Sequence, residues 1–257
     1  MIAQANNSLS FQLRKELFLY QKILFSFIRQ KGIILMTIIF PVIFLSVGWF
    51  TGNDIQLTFT INNDILIAKT REISVISLSL VSVSFLAIFI SFYLFLTTKQ
   101  MDFRLKRNGY SNFQIFRSKL FSIGFLLIPS SIITFGLGIL LVKVNDITLV
   151  LVAFILEIFI YALIGVIISF LLQNRLQATY TALILVVIDL GFLESPLWSE
   201  VYNKSFMVLL PGYYPSKLLL EASFSLSSVP LESIGFSLLY IIGLLIIIII
   251  ISKFKRN

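Results

Sequence analysis

Six stretches of this chain, at 33–50, 73–96, 120–142, 147–172, 176–193 and 234–252, each run at least 18 residues on mostly apolar and small side chains. None holds more than one charged residue. At about 1.5 Å of helical rise per residue, 18 residues reach about 27 Å, enough for the hydrocarbon layer of a bilayer. A water-soluble core cannot hide six such segments in 257 residues. Charged residues make up only 12% of the chain, against about a quarter in soluble domains, and the mean hydropathy is +0.99. The expected solvent is therefore lipid, and the expected fold is an all-α membrane protein with a single transmembrane domain over 1–257.

The segments between the spans refine this plan. In 10–31, Leu13, Leu17, Tyr20, Leu24, Phe27 and Ile28 recur at helical spacing, with Lys15, Lys22, Ser26 and Arg29 opposite. Such a basic amphipathic helix is expected to lie in the headgroup plane. Pro41 falls inside the first span and is expected to bend it. Residues 51–72 carry an alternating run, Leu57, Phe59 and Ile61, then Asn62-Asn63-Asp64, then Ile65 and Ile67, which predicts a small hairpin outside the membrane. Only 143–146 separates the third and fourth spans, predicting a tight helical hairpin. In 194–233 the apolar pieces are too short to cross, Pro196, Pro211 and Pro215 interrupt them, and Trp198, Tyr202, Tyr213 and Tyr214 suit an interface. Short interfacial or re-entrant helices are expected there.

Charge sets the expected orientation. With both termini cytoplasmic, 15 of the 20 basic residues fall inside and eight of the 12 acids outside, as the positive-inside rule requires. The net charge of +8 is then a topology signal, with no separate support for nucleic-acid binding. The N-terminus lacks an apolar core of signal-peptide type and is expected to be retained. The expected location is the cell membrane.

Several kinds of chemistry are excluded. The chain has no Cys and no His, so it has no disulfide, no thiolate or imidazole metal ligand and no histidine base. It has no G-x-x-x-x-G-K-[ST] loop, so it cannot cradle nucleotide phosphates in that manner. No enzymatic activity and no cofactor are expected in this chain. Two acids lie within spans, Glu157 near the middle of the fourth and Asp189 in the outward third of the fifth. A mid-bilayer charge costs about 2.5–3.5 kcal/mol even on the lenient insertion scale. Both should therefore face protein or water, as part of a substrate path or proton relay, or as interhelical hydrogen-bonding groups.

The most informative polar segment is 97–119, TTKQMDFRLKRNGYSNFQIFRSK, where six of 23 residues are basic. Gly109 is placed to end a helix in the left-handed conformation. Ser111-Asn112-Phe113-Gln114 fits a capping box that starts the next. Phe113, Phe116 and Leu120 then share a face, and a loop that only sets topology needs no aromatics. Asp102, Arg104, Arg107, Gly109, Tyr110, Phe113 and Phe116 are the candidate residues for receiving a partner protein.

The order of parts, together with FRLKRNGYSNFQIFRSKL (103–120) and LLPGYYPSKLLLEA (209–222), resembles the membrane subunit of an ABC exporter of the type-2 permease family. Asp102, Arg104 and Gly109 echo an acidic-Arg-acidic-x-Gly-Thr signature frequent in that family's inner loop. The resemblance implies a separate cytoplasmic ATPase, carrying ATP and Mg²⁺, docked on 97–119 with a lesser contact near 173–177. It also implies a second permease copy or paralogue, and outward movement of an amphipathic peptide, toxin or drug. A polysaccharide or lipid exporter is the nearest variant. A secondary transporter or channel using Glu157 and Asp189 is the competing class, and a non-transporting scaffold or immunity protein is a third.

Overall fold

In lipid a backbone amide finds no partner outside its own segment, so the apolar runs fold as helices. The computed structural model describes residues 17–29, 31–61, 64–193, 208–225 and 231–254. The first element is helix α1 (Leu17–Ile28). It is followed by α2 (Lys31–Thr51), β1 (Gln56–Ile61), β2 (Asp64–Lys69), α3 (Thr70–Thr97), α4 (Lys99–Arg107) and α5 (Asn112–Leu141). Then come α6 (Ile147–Leu171), α7 (Arg175–Leu193), α8 (Tyr213–Phe224) and α9 (Leu231–Phe254). Five of these, α2, α3, α5, α6 and α9, are long and apolar enough to cross a bilayer. The chain is an all-α multi-pass membrane protein with one small hairpin. The expected span at 176–193 falls on α7, 19 residues long, which is not among these five.

Helices α3 and α6 form the interior. In their most apolar stretches 78% and 67% of residues are buried, against 22%, 28% and 17% in α2, α5 and α9. Small residues make the close packing possible. A Cβ added at Gly165 of α6 would lie 2.4 Å from the Ile88 carbonyl oxygen, and one at Gly48 of α2 would lie 2.9 Å from that of Ser74. Association of helices in lipid depends on such close backbone approach. Helices α2, α5 and α9 turn outward the apolar side chains that a bilayer would solvate, Leu35, Phe121 and Leu239 among them.

The predicted hairpin pairs antiparallel, with Ile61 opposite Asp64. It is tied to α3 by the Thr70 amide donating to the Ile55 carbonyl at 2.9 Å. An Arg71–Asp54 ion pair at 3.3 Å adds a second tie. The turn between α5 and α6 is also as expected. Asp146 accepts from the amides of Thr148 and Leu149 at 2.9 and 3.0 Å, capping α6. The amides of Asn145 and Asp146 donate to the carbonyls of Ser223 and Ala222, pinning this turn to the end of α8.

Of the predicted stripe of the first helix, Leu24 and Phe27 are buried together with Leu19 and Ile23, whereas Leu17 and Ile28 are exposed. The buried face meets protein, with the Phe27 ring edge-on to Tyr93 of α3. The helix therefore packs on the bundle. Pro215 sits in the first turn of α8, where a missing amide hydrogen costs nothing, and the helix is short, at 12 residues. Helix α8 is deeply packed, burying Leu218, Leu219, Leu220 and Ala222. Pro196, Trp198 and Tyr202 lie outside the described residues.

Candidate functional site

The segment 97–119 is a rigid corner. Helix α3 ends at Thr97, and the Thr98 hydroxyl donates to the Leu94 carbonyl at 2.7 Å. Helix α4 restarts at once and buries only Leu105. At its end the Gly109 amide donates to the Lys106 carbonyl (3.0 Å) and the Tyr110 amide to that of Leu105 (3.1 Å). This pair of bonds is a Schellman motif, and it requires a left-handed residue between the helices. Gly109 supplies it with φ of 77°. The next residue but one caps α5: Ser111 Oγ accepts from the Gln114 amide at 3.2 Å, and Gln114 Oε1 accepts from the Ser111 amide at 3.0 Å. A C-terminal motif and a capping box thus share one turn, which is why a nine-residue polar helix holds its place.

The predicted coupling residues divide into two groups. Phe113 is 63% exposed, and Arg104, Arg107 and Gly109 are also exposed. The Arg107 guanidinium stacks over the ring of Phe103 at 4.5 Å. Asp102 and Phe116 face inward instead. The Phe116 ring meets Phe95 edge-on at 5.8 Å. Asp102 Oδ2 accepts from the Lys119 ammonium at 2.6 Å, and the Lys119 side chain is only 2% exposed. Lys119 also lies 4.8 Å above the Phe95 ring. Burial pushes the Asp102 carboxyl above its ordinary value, and Lys119 and Lys106 pull it partly back. The ion pair joins α4 to α5 across the turn. Sequence reasoning missed it, although Asp102 is the only acid among 97–119.

Glu157 of α6 and Asp189 of α7, the two acids expected within spans, form a second constellation. Glu157 is fully buried and Asp189 is 3% exposed, so Asp189 is no interfacial group. Ser84 Oγ lies 2.6 Å from Glu157 Oε1 and 2.9 Å from the Leu80 carbonyl. A hydroxyl has one hydrogen and two lone pairs. Both contacts are hydrogen bonds at once when Glu157 carries a proton and donates it to Ser84. Asp189 Oδ2 accepts from the Tyr161 hydroxyl, one turn along α6 from Glu157. It also accepts from the Gly212 amide at 3.1 Å, at the N-terminal end of α8. A carboxylate there is favoured by the helix dipole. The arrangement ties α3, α6, α7 and α8 together by hydrogen bonds. Glu157 Oε2 and Asp189 Oδ1 have no hydrogen-bond partner among the described residues. Those residues also contain no cluster of three or more acids that could hold a metal ion.

The chain matches no protein-family model and no curated protein.

Proposed function

We propose that this chain is the membrane subunit of an ATP-driven exporter, and that a separate cytoplasmic ATPase docks on the α4–Gly109–α5 corner. One observation carries this reading. The corner is built stiffly, from a Schellman motif, a capping box and a buried ion pair, yet it presents Arg104, Arg107 and Phe113 outward. A loop that only fixes topology needs neither rigidity nor exposed aromatics, whereas a lever that transmits force needs both. Because α4 and α5 continue from α3 and into the spanning part of α5, a push on the corner reaches the interior directly.

In the proposed arrangement α7 is the sixth span, α8 is a re-entrant element, and both termini are cytoplasmic in the cell membrane. Two permease copies or paralogues form the pathway, and ATP with Mg²⁺ binds in the ATPase. The cargo class is an amphipathic peptide, toxin or drug, with polysaccharide or lipid as the variant. The test is mild-detergent purification of the full chain from its native membranes. A Walker-type ATPase should co-purify with the wild type and be lost with Phe113→Ser; a preparation without any ATPase would refute the reading.

A second reading, a secondary transporter or channel, is favoured by the burial of Glu157 and Asp189 beside Tyr161. It requires one of these acids to change its charge during transport. Unaltered transport by Glu157→Gln and by Asp189→Asn variants, with normal assembly, would remove it.

A further inference from the structure

A cavity of about 540 Å³ opens where α3, α4, α5, α6 and α9 end on the same side of the bundle. Its polar wall carries Lys99, Lys106 and Lys119 with Asp102, and its apolar wall carries Phe95, Phe116 and Phe170. Asp102 is engaged by Lys119. Lys99 and Lys106 are exposed, and neither is paired with a carboxylate among the described residues. The cavity therefore holds a cationic excess against a wall of phenyl rings, at the ends of the apolar helices α3, α5, α6 and α9.

We infer that this cavity binds the headgroup of an acidic phospholipid, with the phosphate between Lys99 and Lys106 and the first methylenes against Phe95, Phe116 and Phe170. Three observations select this occupant. Charge complementarity calls for an anion. The aromatic wall calls for an amphiphile, not a free ion. Size favours a headgroup: a helix of about 10–12 Å diameter and 5.4 Å pitch fills roughly 400–600 Å³ per turn, so the cavity would hold little more than one turn. The same volume falls within the roughly 300–1,000 Å³ usual for small-ligand sites, and basic pockets between spans commonly take acidic headgroups. Asp102, Phe113 and Phe116 line this cavity and are also candidate docking residues, whereas Lys99 and Lys106 are not, so substituting the two lysines tests this inference apart from the ATPase reading.

The test uses the delipidated full-length protein in neutral detergent. Thermal unfolding is followed with added phosphatidylglycerol, phosphatidylcholine or inorganic phosphate, and retained lipid is counted by native mass spectrometry. Phosphatidylglycerol should raise the unfolding temperature and remain bound, phosphatidylcholine should do neither, and phosphate alone should have no effect. Lys99→Gln with Lys106→Gln should weaken the preference for the acidic lipid at least about tenfold, each basic residue near a lipid surface contributing roughly a fivefold factor. The double arginine variant should retain the preference, as should Lys69→Gln with Lys143→Gln elsewhere on the surface. Equal stabilisation by both lipids, a preference that survives the double glutamine variant, or full stabilisation by phosphate alone would each overturn the assignment.

Discussion

At the scale of single residues the account rests on where charge is placed. Lys119 is buried against Phe95 and answered by one carboxylate, so the two members of the pair are not equivalent. Removing Asp102 leaves a buried ammonium uncompensated, which costs about 3–5 kcal/mol. Removing the ammonium leaves a carboxylate that retains 22% side-chain exposure and can hydrate. Asp102→Ala should therefore lower the unfolding temperature in detergent much more than Lys119→Met, and the double variant should recover most of the loss. For Glu157 the hydrogen count at Ser84 has a direct consequence. Glutamine supplies the same donor, so Glu157→Gln should leave stability within about 1 kcal/mol of wild type. Glu157→Ala, which opens a cavity, should cost about 2 kcal/mol or more. The charge pattern made both acids visible in the sequence. Their partners were not visible, because Ser84 and Glu157 are 73 positions apart and no periodicity links them.

At the scale of elements, the turn chemistry was legible and the packing only partly so. Gly109 and Ser111–Gln114 could be read because the left-handed residue and the capping box are local rules with short spacing. Gly109→Ala places a Cβ in the left-handed region and should cost about 1–2 kcal/mol. Ser111→Ala removes a cap and should cost about 1 kcal/mol. Thermal unfolding checks both, and loosening of the corner should appear as faster amide exchange in α4. Helix α1 shows where reading by pattern fails. In lipid the apolar side of a helix is not its buried side, so the exposed Leu17, Phe18 and Phe25 could not be told from the core-facing Leu19 and Ile23 by hydrophobicity. The Gly165 contact with α3 was invisible for a similar reason, since it depends on which face of α6 turns inward. Gly165→Leu forces a side chain into a backbone contact of 2.4 Å and should separate α3 from α6, seen as loss of folded protein after detergent extraction.

For the whole molecule, the spans were legible because long apolar runs have one solution in a bilayer. The central pair of α3 and α6, wrapped by more exposed helices, was not, because every span is apolar on all sides. The proposed function belongs to this scale. It holds that force enters at one corner and reaches the interior through α3 and α5, whose junction is locked by Asp102 and Lys119. The absence of native cysteine makes the decisive measurement clean. Phe113→Cys and, as a control on the outer hairpin, Thr58→Cys are each labelled with a short photo-cross-linker in native membranes. The account predicts that Phe113→Cys yields a stable adduct with an ATPase subunit, and that Thr58→Cys yields none. An ATPase-free pattern at Phe113→Cys, or the same adduct from both positions, would contradict it.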